Sequence, residues 1–268
     1  MRRLLFLFIF FVLGSSSFAQ ITANSPYSSF GLGESGGLDH ARISGIGNSL
    51  GTAIDSFTLN YYNPSSYNSL SSGNPLFSLG VSSRISSFTE GSLENTSTVS
   101  AIQHFAFGFK VKKYFGAAFG LRPYSRRGYE FSNYEVLGTD SIKHTYSGTG
   151  GINELFLGLS TNILKLEKTQ LSVGANFGYL FGSLENQRSS TSVNDGVSIV
   201  GGVDIRTIRA KSFHYDLGMN FSHRFNPSHE LMLTALVDPA QDLNMIYSYG
   251  RYYALDVNDT KGYDTLNY

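Results

Sequence analysis

Cysteine and tryptophan are absent from the 268 residues, and charged side chains make up only 15% of them. The missing cysteine excludes disulfides, thiolate metal sites and a lipid anchor on a cysteine after an export signal. An exported domain without disulfides needs another device to hold it. A closed strand ladder is one, because it pairs every backbone donor and acceptor. Long apolar runs are also scarce. The one present, Leu4 to Leu13, is too short to span a bilayer as a helix. It follows Arg2 and Arg3 and precedes Ser17-Phe18-Ala19, so residues 1–19 read as a signal peptide cut before Gln20. Nothing later approaches a transmembrane helix, which excludes a helical inner-membrane bundle. Basic clusters are missing and the formal net charge is zero, which argues against a nucleic-acid partner.

What the chain does have is glycine, 29 residues of it, and aromatics at 14%. They fall into long alternating strands. The clearest sets Leu171, Val173, Ala175, Phe177, Tyr179 and Phe181 on one face, with Ser172, Gly174, Asn176, Gly178, Leu180 and Gly182 on the other. A strand in a soluble domain has about five or six residues, whereas a bilayer-crossing strand needs about nine to eleven. The alternation predicts lipid against Phe177 and Leu171, and a polar lumen at Asn176 and Gly178. On this basis an arginine at Asn176 should be tolerated and one at Phe177 should not.

Six further strands are expected. They start near Leu76, Val99, Phe115, Leu155, Tyr215 and Glu230. The second is expected to align Ala101, Phe105, Phe107, Phe109 and Val111, with Gln103 interrupting that face. The connections at Lys112-Lys113-Tyr114, Lys165 to Thr169 and Asn226 to His229 are tight. Those at 87–97, 125–147 and 184–198 are long and polar and read as loops. Short turns at one end and long loops at the other are the mark of a bacterial outer-membrane barrel. A soluble β-sandwich is the alternative with the same alternation.

The expected fold class is therefore all-β, an antiparallel transmembrane barrel in the bacterial outer membrane, in contact with lipid and lipopolysaccharide. Residues 20–70, rich in Gly, Ser and Asn, read as an N-terminal hatch, with short helices at Ala41–Gly51 and Pro64–Leu70. Residues 71–268 read as about half of the wall. Seven strands do not close an even-numbered barrel, so the chain is expected to be a fragment, with a complete eight-stranded barrel as the alternative. Asp256 to Tyr268 reads as the inside of a loop.

The string Asn60-Tyr61-Tyr62-Asn63-Pro64-Ser65-Ser66-Tyr67 resembles the N-terminal signature of the OmpP1/FadL/TodX outer-membrane family. Gly45 to Ala53 resembles the Gly- and Ala-rich stretch that precedes the motif in that family, and Asn24 to Gly33 and Gly148 to Leu155 resemble versions found in its Bacteroidetes-type branch. The resemblance implies a barrel of fourteen strands plugged by a hatch. It implies passive transport of hydrophobic, fatty-acid-like molecules or, alternatively, a docking role beside type IX secretion-system proteins. Asn63, Pro64, Ser65, Tyr67 and Arg122 are its candidate ligand and hatch residues. Arg122 is expected on the lumen face, paired with a hatch acid such as Glu34 or Asp39.

No enzyme, metal or cofactor is expected. Gly31-Leu32-Gly33-Glu34-Ser35-Gly36 matches a dinucleotide fingerprint as a string, but no apolar strand precedes it. The six histidines lack zinc spacing. Ser222 and His223 are adjacent on one strand and so point to opposite faces.

Overall fold

A computed structural model describes residues 24–36, 40–112, 114–137, 140–194, 197–252 and 264–267. The expected signal peptide and Asp39 lie outside them. The described chain is all-β. Among the described residues no helix is long and apolar enough to cross a membrane. A short strand, β1 (Glu34–Ser35), and a single helical turn, α1 (Ala41–Gly45), come first. Two 3-10 turns, Pro26–Ser29 and Pro64–Ser69, complete the N-terminal part.

The sheet follows as β2 (Leu76–Glu90), β3 (Leu93–Lys112), β4 (Phe115–Leu137), β5 (Asp140–Lys165), β6 (Thr169–Asn194) and β7 (Val197–Asn226). It ends with β8 (His229–Val237), β9 (Met245–Tyr252) and β10 (Asp264–Asn267). The order is β10-β9-β7-β6-β5-β4-β3-β2, with β8 also on β7 and β1 on β4. All these pairings are antiparallel, and the sheet curls into a half-barrel. The fourteen-stranded closed form is not confirmed.

Two expectations change here. The described residues of the stretches expected as long loops are strand, apart from the turn at 91–92. They extend β2 to β7 into arms, and β7 alone has 30 residues. At ~3.3 Å per residue such a strand far exceeds a hydrocarbon core of ~30 Å. The arms do not read as strands in the sequence because polar residues fall on both of their faces. With polar residues on both sides, alternation disappears, although the Thr, Tyr and Val content still favours extended backbone. The second change is at the C-terminal side, where Asp264–Asn267 is a strand rather than loop interior.

Below the arms the alternation holds. Leu155, Leu157 and Leu159 are 55%, 52% and 52% exposed, while Phe156 between them is 2% exposed. Phe177 is exposed and Asn176 is fully buried. Strand β3 departs from the expected face. Gly80 pairs with His104 and Val81 with Ile102, so Gln103 is an extra residue. This bulge turns Ala101, Gln103 and His104 all inward and Ile102 outward.

The last long strand is interrupted. β8 pairs with the lower part of β7 and β9 with the upper part. Opposite the gap, the amide of Gln241 stands in for a backbone. Its Oε1 accepts from Tyr215 N at 2.9 Å, and its Nε2 donates to Tyr215 O at 2.9 Å.

Candidate functional site

The concave face of the sheet holds the segment 40–70. Its floor is glycine. A Cβ added at Gly116 would overlap the Tyr67 backbone, one at Gly174 the Pro64 backbone, and one at Gly158 the Tyr67 ring. At Gly218 it would lie 2.9 Å from Asn63 Oδ1. Sequence alternation places Gly174 on the inner face of its strand without a partner. These glycines are instead the places where a second backbone comes close to the wall.

Asn63 organises the seated turn. Its Oδ1 caps the 3-10 turn, accepting from Ser65 N at 3.1 Å and Ser65 Oγ at 2.6 Å. Its Nδ2 donates to Gly51 O at 2.8 Å. Pro64 occupies the first position, where a missing N–H costs nothing. Asn60 Nδ2 donates to Leu50 O at 2.6 Å, so both asparagines tie the motif to the preceding Gly-rich stretch. Leu59, Tyr61, Tyr67 and Leu70 pack on Ala106, Ala118 and Phe156 of the wall.

The polar node sits beside this apolar contact. Arg122, on β4, donates from Nε to Glu154 Oε2 of β5 at 2.8 Å, and from Nη2 to Asp216 Oδ2 of β7 at 2.8 Å. Its remaining Nη1 donates to the main-chain carbonyl of Tyr61 at 3.0 Å. Asn176 of β6 donates to the same carbonyl at 3.2 Å and to Asp216 Oδ1 at 2.8 Å. Tyr67 Oη donates to Asn176 Oδ1 at 2.8 Å. Burial pushes the Tyr67 phenol pKa up, which keeps it a neutral donor. His214 extends the node, with Nδ1 3.0 Å from Glu154 Oε1 and Nε2 3.2 Å from Asp238 Oδ1. A second contact joins Tyr61 Oη to His104 Nδ1 at 2.9 Å, and Ser78 Oγ to His104 Nε2 at 2.7 Å.

Arg122 is thus inward-facing, as alternation predicts, but its acids come from the wall and not from the N-terminal segment. Glu34 belongs to β1, which runs along β4 opposite Arg126. The pairing was illegible because Glu154 and Asp216 are 32 and 94 residues away in sequence. Their lumen-facing positions were readable; their convergence depends on strand order. Asn63, Pro64, Ser65 and Tyr67 come together in the seated turn, and Tyr67 and Arg122 meet through Asn176 and the Tyr61 carbonyl. Asn176, Glu154, His214 and Asp216 are the members that sequence inspection missed.

Glu154, His214 and Asp216 place ligand-type atoms within 4.8 Å of one another. Both carboxylates already serve the Arg122 guanidinium, and a cation there would meet that charge at close range. What the arrangement does chemically is hold: it pairs buried charges and fastens a main-chain carbonyl to two strands, β4 and β6. A chamber of about 520 Å³ adjoins it, lined by Leu32, Tyr62, Tyr124, His214 and Asp238 among others.

Comparisons with curated proteins and with solved structures yield no match. A protein-family model described as BamG matches residues 1–262. This overturns the resemblance to the OmpP1/FadL/TodX family that the Asn60–Tyr67 string carried. The string is a hatch-like turn motif held by Asn capping and Pro at the first position, features that any seated 3-10 turn can share. Hydrophobic-compound transport falls with that resemblance, and nothing supports the type IX secretion role. Family and β-rich fold are consistent with an outer-membrane-associated protein. The chain belongs to the BamG family.

Proposed function

We propose that this protein serves the assembly of other proteins into the outer membrane, as a non-enzymatic partner of Bam complex proteins. The observation that carries the proposal is the family match over residues 1–262. The geometry supports it in one respect. The lumen side is filled by the segment 40–70, whose backbone lies on the glycine floor and is tied to Arg122 and Asn176. Such a wall is suited to presenting a stable surface rather than to passing cargo. In this reading residues 20–70 are the plug, the alternating parts of β2 to β8 meet lipid, and the arms stand in water.

The test is depletion of the protein in its native cells. The measurement is the fraction of newly made outer-membrane barrels that reach the heat-modifiable, folded form. A fall in that fraction before growth slows is the expected result. Unchanged barrel folding after full depletion overturns the proposal.

A further inference from the structure

Strands β3 and β4 are consecutive, yet they pair only from Lys112↔Phe115 to Phe105↔Leu121. Beyond that point β3 stays with β2 as far as Leu93, and β4 stays with β5 as far as Leu137. The two arms therefore part and leave a slot between two strand edges.

The lower end of the slot is already filled by extended backbone. Glu34 and Ser35 pair antiparallel with Arg126 and Ser125. Ser25 N donates to Gly128 O at 2.9 Å, and Arg126 Nη2 reaches across to Ile102 O at 2.6 Å. The upper end has no backbone partner among the described residues. A groove of about 620 Å³ lies there. Its sides include Thr96 to Val99 of β3 and Tyr129 to Ser132 of β4, and Asn24 lines it at its lower end. The consecutive residues of β3 and β4 mean that their edges border it, and Ser147, Thr149, Glu185 and Gln187 add part of one pleated face of β5 and β6.

The backbone direction on the β4 side follows from Gly128. Its carbonyl points into the slot, and the β4–β5 register runs without a shift from there to Leu137. N–H and C=O of one residue point to the same side of a strand and alternate along it. Glu130, Ser132, Tyr134 and Val136 therefore aim their main-chain groups into the slot. On the β3 side the Ile102 carbonyl gives the same phase to Ser100, Thr98 and Thr96. An open edge of this kind is a template for another strand, and natural proteins blunt it with proline or lysine. Residues 129–137 contain neither.

We propose that the slot between β3 and β4 binds an extended segment of a partner polypeptide, added as a strand along β4. The free edge from Tyr129 to Val136 takes a strand of about eight residues, roughly 26 Å at ~3.3 Å each. The pairing continues the antiparallel contact that β1 makes just below. The groove is lined by hydroxyls and aromatic rings with two carboxylates, Glu130 and Glu185, and no lysine or arginine. The segment that fits alternates small or β-branched residues with a basic one. This site rests on strand edges and does not depend on the assembly role.

The experiment uses the purified full chain in detergent micelles and a fluorescent nine-residue peptide of alternating Thr and Val with two Lys. A second peptide carries N-methyl groups on alternate amides. Saturable binding of the first, weakened at least tenfold by N-methylation, is the expected result. Ser132→Pro removes an N–H that points into the slot without touching the ladder to β5, and it should weaken binding as strongly. Ser132→Val should not. If the proline variant loses protease resistance, the N-methyl comparison carries the test. No saturable binding, or equal binding of both peptides, overturns the proposal. Binding that appears only after residues 20–23 are deleted assigns the slot to the chain's own N-terminus and overturns it equally.

Discussion

Arg122 and the main-chain carbonyl of Tyr61 meet at 3.0 Å, and this contact couples the ion-pair network of the wall to the seated segment. The guanidinium has its other two bonds committed to Glu154 and Asp216. One residue thus pairs with two acids and fastens the turn, so its removal has two separable consequences.

Replacing Arg122 by Leu leaves two buried carboxylates without their guanidinium, Glu154 with His214 alone and Asp216 with Asn176 alone. Breaking one side of such a network costs about 3–5 kcal/mol. The expected outcome is a lower thermal midpoint in detergent together with earlier proteolysis within residues 40–70. A second substitution, Arg122→Leu with Glu154→Gln and Asp216→Asn, should recover much of the midpoint. It should restore protection of the segment only in part, because the Tyr61 carbonyl keeps its bond from Asn176 but still lacks the one from Arg122.

The glycine floor predicts a positional effect. Gly174→Val and Gly116→Val push a side chain into the Pro64 and Tyr67 backbones. They should unseat the 3-10 turn and raise deuterium uptake across Asn60–Leu70. Ala175→Val, one position along on the outer face, should leave that uptake unchanged.

Phe177→Arg should cost about 2–4 kcal/mol of folding stability in bilayers if the residue lies near the midplane. Alternation alone predicts that Asn176→Arg is mild. The structure reverses this, because Asn176 is fully buried and bonded to Tyr61 O, Asp216 and Tyr67. Both variants should be destabilised, and only the Asn176 variant should also expose the segment 40–70 to protease.

In the water-exposed arm of β7, the hydrogen bonds from Arg251 and then Tyr249 hold the Asp204 carboxyl below its ordinary pKa of 3.8. A depressed carboxyl stabilises the fold above its unfolded pKa and loses that contribution as pH falls through the folded value. Pairing of β9 with β7 near Arg251 should therefore be intact at neutral pH and weaken on acidification below about pH 4. Amide exchange of Tyr249 to Arg251 measures it. Asp204→Asn should remove the pH dependence.

How much of this was legible differs along single strands. Leu155 to Leu159 and Phe177 could be assigned to the outer face from spacing alone, since an exposed apolar face on one side and packed polar groups on the other impose period two. The arms carry no such contrast. At β3 the extra residue Gln103 inverted the expected face of Ala101, and a bulge leaves no local sequence mark when both flanks are strand-forming. The Asn-Pro turn at 63–64 was readable from its capping chemistry, but the same chemistry suggested the wrong family.

The sequence by itself determined the class of the protein: long alternating strands, tight turns at 114, 166–168 and 227–228, and a Gly-rich N-terminal segment of a different character. These follow from local periodicity and turn chemistry. Tertiary structure alone decided that lumen-facing glycines are a seat, that Arg122 finds Glu154 and Asp216, and that β3 and β4 part above Phe105. Each of these depends on strand order and register, which bring together residues far apart in the chain and which no local pattern encodes.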